Sequence, residues 1–272
     1  MKKILFFETN EFTGATRVTR ILAKAAKNKY EVAFAHVGEN VREDIEFAIE
    51  KEQPDILFSS FIWINPEVIL AGKQHSLYVV IRNDYKLEDV ADSVRLQAIE
   101  AYPLADEIIA QTEEMRQSLL AIPEIESSKV RVLQNPLDEQ DIIDKAKEAD
   151  PFPDNGYFHF LWVGRIDPIK DLPTLQKAFE IVNREFPKTD LTLISNDPNP
   201  YKWMKHAGCM VISSKSEASP NVLREALFLG TPIIATDCSQ TVRDLLEKDR
   251  IVPVGDYVKM AEAMMSIMRE HK

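Results

Sequence analysis

The sequence predicts an α/β protein built as two doubly wound domains, and three observations lead there. Short apolar, β-rich runs alternate with longer segments of helical period, which is the rhythm of parallel βαβ units. Some runs are continuously hydrophobic, as in Phe160-Leu161-Trp162-Val163, the pattern of a strand whose sheet is covered by helices on both faces. Near the middle of the 272 residues lies an acidic stretch, 135–156, that contains Pro136, Pro151 and Pro153 and carries no strand signal.

In chain order, strands are expected at 4–8, 31–36, 55–60, 77–82, 107–111 and 130–133, with helices at about 15–28, 41–51, 86–102 and 113–121 between them. The connector holds a short helix, and its run 139–148 reads as a solvated helix face. Beyond it, strands are expected at 158–163, 191–195, 209–213 and 232–235, with helices at about 173–185, 220–229, 240–247 and 256–270. This places an amino-terminal domain at 1–137 and a carboxyl-terminal domain at 138–272. Ligands of such sheets bind outside the carboxyl ends of the strands, so two such domains predict a cleft between them.

Composition removes several classes. With 45% hydrophobic and 28% charged residues the chain is globular, and 33 Lys plus Arg against 44 Asp plus Glu leave a net charge of −11. A nucleic-acid binder that relies on overall basic charge is thereby excluded. Cys209 and Cys238 fit neither a CxxC pair nor a disulfide framework and are expected as reduced thiols of a cytoplasmic protein. Ile4-Leu5-Phe6-Phe7 is too short for a signal-peptide core, and the longest later apolar stretch, 227–235, is broken by Gly230 and Pro232. The expected location is cytoplasmic, with at most a peripheral contact at the inner membrane face. No GxGxxG, GxxxxGK[ST], HExxH, GxSxG or DxD pattern occurs, which removes the common dinucleotide, P-loop, zincin, hydrolase-elbow and aspartate-metal readings.

Two segments carry chemistry. After the strand at 209–213 comes Ser214-Lys215-Ser216-Glu217-Ala218-Ser219-Pro220-Asn221-Val222-Leu223-Arg224-Glu225, which reads as strand, loop and helix with Ser219 as N-cap and Pro220 in first position. The amides of Asn221, Val222 and Leu223 and the positive end of the helix dipole then offer a phosphate site. Glu217 precedes that terminus and Glu225 lies in the second turn; alternatively Glu217 only complements the dipole and Glu225 is solvated. The second segment, Val163-Gly164-Arg165-Ile166-Asp167-Pro168-Ile169-Lys170-Asp171, presents Arg165 and Lys170 after a strand and before a helix capped by Asp171, a plausible diphosphate clamp or two surface charges.

On these residues the chain resembles the family-4 retaining glycosyltransferases of the GT-B fold. The resemblance rests on Val163-Gly164-Arg165 followed by Lys170, on Glu217-x7-Glu225, and on Gly230-Thr231-Pro232-Ile233-Ile234-Ala235-Thr236, with weaker matches at Ala105-Asp106-Glu107, Gln134-Asn135-Pro136 and Val252-Pro253-Val254-Gly255. It implies two Rossmann-like domains facing a cleft, an acceptor-side domain followed by a donor domain, in a compact variant. It further implies a nucleotide-sugar donor, UDP- or GDP-linked, a glycan or lipid-linked acceptor, and no cofactor or metal requirement. Arg165 and Lys170 would bind the diphosphate, Glu217 the transferred sugar and Glu225 the ribose hydroxyls. The family's glycine-rich first loop is reduced here to Phe12-Thr13-Gly14-Ala15, where Gly14 either lets backbone approach the donor or forms an ordinary turn. Where many relatives have a cleft histidine, this chain reads Arg82-Asn83-Asp84, leaving Asn83 or Asp84 as acceptor-side candidates.

One departure bears on function. Only about a dozen residues separate the strands at 191–195 and 209–213, where the family usually inserts another strand and helix, and Trp203 in this short connection is either a wall or a surface for a base to stack on. The rival to a sugar transferase is therefore a catalytically weak GT-B-like binding subunit of a larger complex. Residues 15–29 also carry Arg17, Arg20, Lys24, Lys27 and Lys29 with no acid, either a solvated face or a contact for an anionic membrane or lipid acceptor.

Overall fold

The computed structural model of the chain describes residues 1–9, 14–83, 85, 87–195 and 197–270. It divides into two units, Met1–Pro136 and Leu137–Lys272.

The first unit is a parallel sheet of β1 (Lys3–Thr9), β2 (Glu31–Val37), β3 (Ile56–Ser59), β4 (Tyr78–Asn83), β5 (Glu107–Ala110) and β6 (Val130–Val132), ordered β2-β1-β3-β4-β5-β6. The order runs outward from β1 in both directions, which is the doubly wound pattern. Helices α1 (Gly14–Ala26), α2 (Val41–Glu52), α3 (Asn65–Gln74), α4 (Asp92–Ala101) and α5 (Glu113–Leu120) fill the crossovers. Consecutive side chains Leu5, Phe6 and Phe7 of β1 are all buried, as a central parallel strand requires. Phe6 meets Phe58 of β3 with ring centroids 4.8 Å apart, and Ala23 of α1 closes that layer. Thr112 starts α5 by accepting from the Met115 amide at 3.2 Å.

The second unit has β7 (Phe158–Val163), β8 (Thr189–Ile194), β9 (Cys209–Ile212), β10 (Ile233–Thr236) and β11 (Ile251–Val252), parallel and ordered β11-β10-β9-β7-β8. Its helices are α6 (Glu139–Ala146), α7 (Leu172–Glu185), α8 (Tyr201–His206), α9 (Asn221–Phe228), α10 (Gln240–Leu245) and α11 (Tyr257–Glu270). Strand alternation assigns each side chain to a layer. Phe160 and Trp162 pack with Leu175 of α7 and with Met260, Met264 and Met268, a helical-period methionine face of α11. Leu161 packs on the opposite side with Met204, Leu223, Ala226 and Val242 from α8, α9 and α10. Ile142 of α6 is buried in that same layer, so the run 139–148 is not wholly solvated. Among the described residues no helix is long and apolar enough to cross a membrane.

Three elements lie outside the expected ones. Strand β11 and helix α8 are too short for their periodicity to register, with two and six residues. Helix α3 contains Gly72, a poor helix former, because the helix there rides directly on the sheet. A methyl group on Gly72 would lie 2.2 Å from Val79 Cγ2 and 3.1 Å from Leu57 Cδ1, and both neighbours are fully buried. Overpacking of this kind costs about 1–3 kcal/mol and outweighs the ~1 kcal/mol by which alanine is the better helix former. Gly72→Ala is therefore expected to destabilise the chain, read as a lower urea midpoint; an unchanged or higher midpoint would show that the contact can relax.

Candidate functional site

The carboxyl ends of β7, β9 and β10 are tied into one structure by a few hydrogen bonds. Strand β7 ends at Val163, and the amide of the next residue, Gly164, donates to the Ile194 carbonyl at 3.0 Å and continues the pairing with β8. A side chain at 164 would come within 3.1 Å of the Trp162 ring, so glycine is what lets the indole lie against the departing chain. Arg165 follows, exposed, with no hydrogen bond or ion pair among the described residues. The Asp167 carboxylate then accepts from the Ile169 amide at 2.9 Å and caps a short turn, Pro168–Lys170, that ends on Lys170. The next residue, Asp171, takes the left-handed conformation with φ 47°, which aspartate tolerates better than most side chains. Its carboxylate accepts from the Thr174 hydroxyl at 2.8 Å instead of capping a backbone amide, so Asp171 occupies the cap position of α7 without the expected cap bond.

The loop after β9 fastens onto that turn. Ser213 Oγ donates to the Lys170 carbonyl and the Lys215 amide donates to the Ile169 carbonyl, both at 2.7 Å. From the other side the Thr236 hydroxyl, at the end of β10, donates to the Ser214 carbonyl at 2.5 Å, and the Glu217 amide donates to the Cys238 carbonyl at 3.0 Å. The consequence is a direct ion pair between Lys170 Nζ and Glu217 Oε1, residues 47 apart in sequence, with the two side chains 20% and 16% exposed. Ser214 Oγ donates to the same carboxylate oxygen at 2.7 Å. Both thiols of this unit are buried: burial first, then the negative charge of Glu217, pushes Cys238 up to about 11, and burial pushes Cys209 higher still. Among the described residues no group of three or more His, Cys, Asp or Glu side chains is placed to hold a metal ion.

Helix α9 starts one residue later than its sequence signals indicate. Pro220 stands at the cap position and Asn221 is the first helical residue, while the Ser219 hydroxyl accepts from Thr241 Oγ1 at 3.2 Å and caps nothing. The Leu223 amide turns back to the Pro220 carbonyl at 3.2 Å and its side chain is in the core; Asn221 and Val222 are partly buried. Glu225 is only 2% exposed, so the solvated alternative falls. The Tyr201 hydroxyl of α8 donates to its Oε1 at 3.4 Å, and the Tyr201 ring lies 5.9 Å from Lys145 Nζ. Trp203, on the same helix, is used as a wall: its ring meets Phe152 edge-on at 5.3 Å and its Nε1 donates to Asp197 at 3.0 Å.

In the first unit, Gly14 is the exposed first residue of α1. Asn83 ends β4, almost fully buried, accepting from the Tyr102 hydroxyl at 3.2 Å and donating to the Tyr85 carbonyl at 2.6 Å. Asp84, its companion candidate, lies outside the described residues. Tyr102 also accepts from the Asn65 amide at 3.2 Å, and next to this group buried Arg82 donates to Asn135, whose amide donates to Gln111 at 3.2 Å.

Sequence reasoning therefore anticipates Lys170 and Glu217, which meet, and Glu225, which is held by a different partner. It misses Ser213, Ser214 and Tyr201. A signal for Ser214 was present, since Ser214-x-x-Glu217 has the spacing of a capping box.

Residues 194–270 match the model of the family described as glycosyl transferases group 1. Over 178 residues the chain is 27% identical to an uncharacterized glycosyltransferase of Methanocaldococcus jannaschii, a match covering 53% of this chain and 43% of that protein. Over 201 residues it is 25% identical to the N-acetylgalactosamine-N,N'-diacetylbacillosaminyl-diphospho-undecaprenol 4-alpha-N-acetylgalactosaminyltransferase of Campylobacter jejuni, covering 63% and 53%. The matches thus span about half the length of these curated relatives. Anabaena Alr3699/HepE, solved in complex with UDP and glucose, shares the fold with a TM-score of 0.83 at 13% identity, covering 100% of this chain and 91% of that one. Two parallel sheets with interleaved helices and the likeness to HepE give this chain the GT-B fold, and its residues 194–270 are similar to the glycosyl transferases group 1.

Proposed function

We propose that the chain is a retaining glycosyltransferase that moves a sugar from a nucleotide-diphosphate sugar to a glycan or lipid-linked acceptor, in the synthesis of a cell-surface polysaccharide or glycoconjugate. The observation that carries this reading is the meeting of Lys170 and Glu217 from two strand-end loops, with Arg165 exposed on the same loop as Lys170. Arg165 and Lys170 bind the diphosphate, aided by the start of α9 at Asn221 and Val222. Glu217 faces the transferred sugar and Glu225 receives ribose hydroxyls. The start of α1 at Gly14 lets backbone approach the donor, and the end of β4 at Asn83 belongs to the acceptor side. Bond breaking builds positive charge on the sugar and negative charge on the leaving phosphate, and fixed cations at that phosphate lower the barrier with no step routed through a metal. The leaving phosphate itself helps deprotonate the acceptor on the same face, so no protein nucleophile is assigned. The UDP in the HepE complex makes uridine donors the first to test.

The short connection between β8 and β9, filled by α8 alone, favours the rival reading of a binding subunit without turnover. A thermal-shift panel of UDP-, GDP- and ADP-sugars followed by product analysis separates the two, because a bound donor raises the melting temperature in either case but only a transferase releases nucleotide and transferred sugar.

The lipid-linked acceptor draws support from the diphospho-undecaprenol in the Campylobacter relative's name and from the outer face of α1. Arg20 and Lys24 are exposed on it and Lys27 and Lys29 in the turn that follows, although Arg20 is neutralised by a two-bond pair with Glu8 at 2.7 and 3.0 Å. Each cation near an anionic surface contributes about 1 kcal/mol. Co-sedimentation with phosphatidylglycerol vesicles at low salt should be strong for the wild type and weak for Lys24→Glu/Lys27→Glu; binding that ignores anionic lipid excludes the membrane contact.

The clamp has its own test. Arg165→Ala and Lys170→Ala each remove a charge-assisted bond to phosphate, worth roughly 1.5–3 kcal/mol, and should weaken UDP binding about 10- to 150-fold; the melting temperature of the free chain should be little changed in Arg165→Ala and lowered in Lys170→Ala, which leaves Glu217 without its counter-charge. Wild-type affinity in both variants, measured by calorimetry, would remove the assignment.

A further inference from the structure

Lys170 and Ser214 place their donors on one oxygen, Glu217 Oε1, while Ser213 and the Lys215 amide hold the backbone from which Lys170 projects. Any anion that is to use the Lys170 ammonium must therefore draw it away from a carboxylate in a mostly buried setting, where such a pair is strong. If Lys170 were the carboxylate's one donor, its departure would leave Glu217 with an uncompensated charge. Ser214 prevents that, since it is 1% exposed, fixed through its own carbonyl by Thr236, and already within 2.7 Å of the carboxylate.

On the reading of the site as a nucleotide-sugar site, we propose a partner exchange: the diphosphate takes Lys170 from Glu217, and Ser214 retains the carboxylate so that it faces the sugar. Glu217 is then a competitor for the diphosphate as well as a sugar contact. Ser214 is a positioning residue for Glu217, and Ser213 positions the turn that carries Lys170. Substrate charge itself sets the switch, because a diphosphate offers Lys170 more negative charge than one carboxylate can.

The test titrates inorganic pyrophosphate and UDP into the full chain by calorimetry. Glu217→Gln keeps the shape and the Ser214 bond but removes the competing charge, so both probes should bind about 5- to 10-fold tighter than to the wild type, a change of the size of one ordinary hydrogen bond. Equal or weaker binding of both probes to Glu217→Gln overturns the exchange. In the transfer assay Ser214→Ala should lower kcat about tenfold with the donor KM within twofold, and Ser214→Thr should recover most of the loss. A wild-type kcat in Ser214→Ala, or a lowered melting temperature that threonine does not rescue, overturns the positioning role. A wild-type chain that binds both probes but transfers nothing overturns the transferase reading alone, since the pyrophosphate comparison still decides the exchange.

Discussion

A carboxylate and an ammonium withdrawn from water are tolerated only if each finds an opposite charge and its remaining hydrogen-bonding capacity is filled. The Lys170–Glu217 pair imposes that condition on the second unit, because its members arrive from different crossovers, 47 residues apart. Satisfying it requires three strand ends at fixed relative heights. The parallel register of β7 with β9, and of β9 with β10, supplies the heights. Ser213, Ser214, the Lys215 amide and Thr236 supply the cross-links. The donors and acceptors that close this arrangement are short side chains and backbone groups, which lose little rotamer freedom on ordering.

The first unit also buries a charged group at a strand end. The guanidinium of Arg82 is buried at the end of β4 and bonds Asn135, which is held in turn by Gln111 after β5, while Asn65, Tyr102 and Asn83 form an adjoining chain of amide and hydroxyl bonds. In both units the polar groups concentrate at the carboxyl ends of the strands, where the pairing stops and backbone diverges into loops. The layers on either side of the sheets are apolar.

How much of this could be read from the amino-acid order depends on the range of the interaction. Strands and long helices were legible because burial on two faces writes a continuous apolar run, as at Phe160–Trp162, and burial on one face writes a helical period, as at Met260, Met264 and Met268. Helix α3 was not, because half of its buried residues, Asn65, Pro66 and Gly72, are types that read as turn. At the site, Lys170, Glu217 and Glu225 stood out by spacing and by resemblance. The local cap at Ser219 did not form, since its hydroxyl found Thr241 across the fold, and the bond from Ser214 to Glu217 borrowed a helix-capping spacing for a loop. Such choices are settled by tertiary neighbours that no local window contains.

The short connection from β8 to β9 also bears on how the site is supported. Among the described residues that connection holds helix α8, whose residues seal the core and reach a carboxylate of the site. Tyr201 does both: its ring is buried among α6, α8 and α9 side chains, and its hydroxyl reaches Glu225. Trp203 and Met204 of the same turn pack against Phe152 and within the core, and Thr231 fastens the end of α9's following turn to the Met204 carbonyl at 2.6 Å. Glu225 is thus held by a tyrosine whose position is set by core packing. A longer connection would place further side chains between the core and the carboxylate; in this chain, packing defects around α8 act on Glu225 directly.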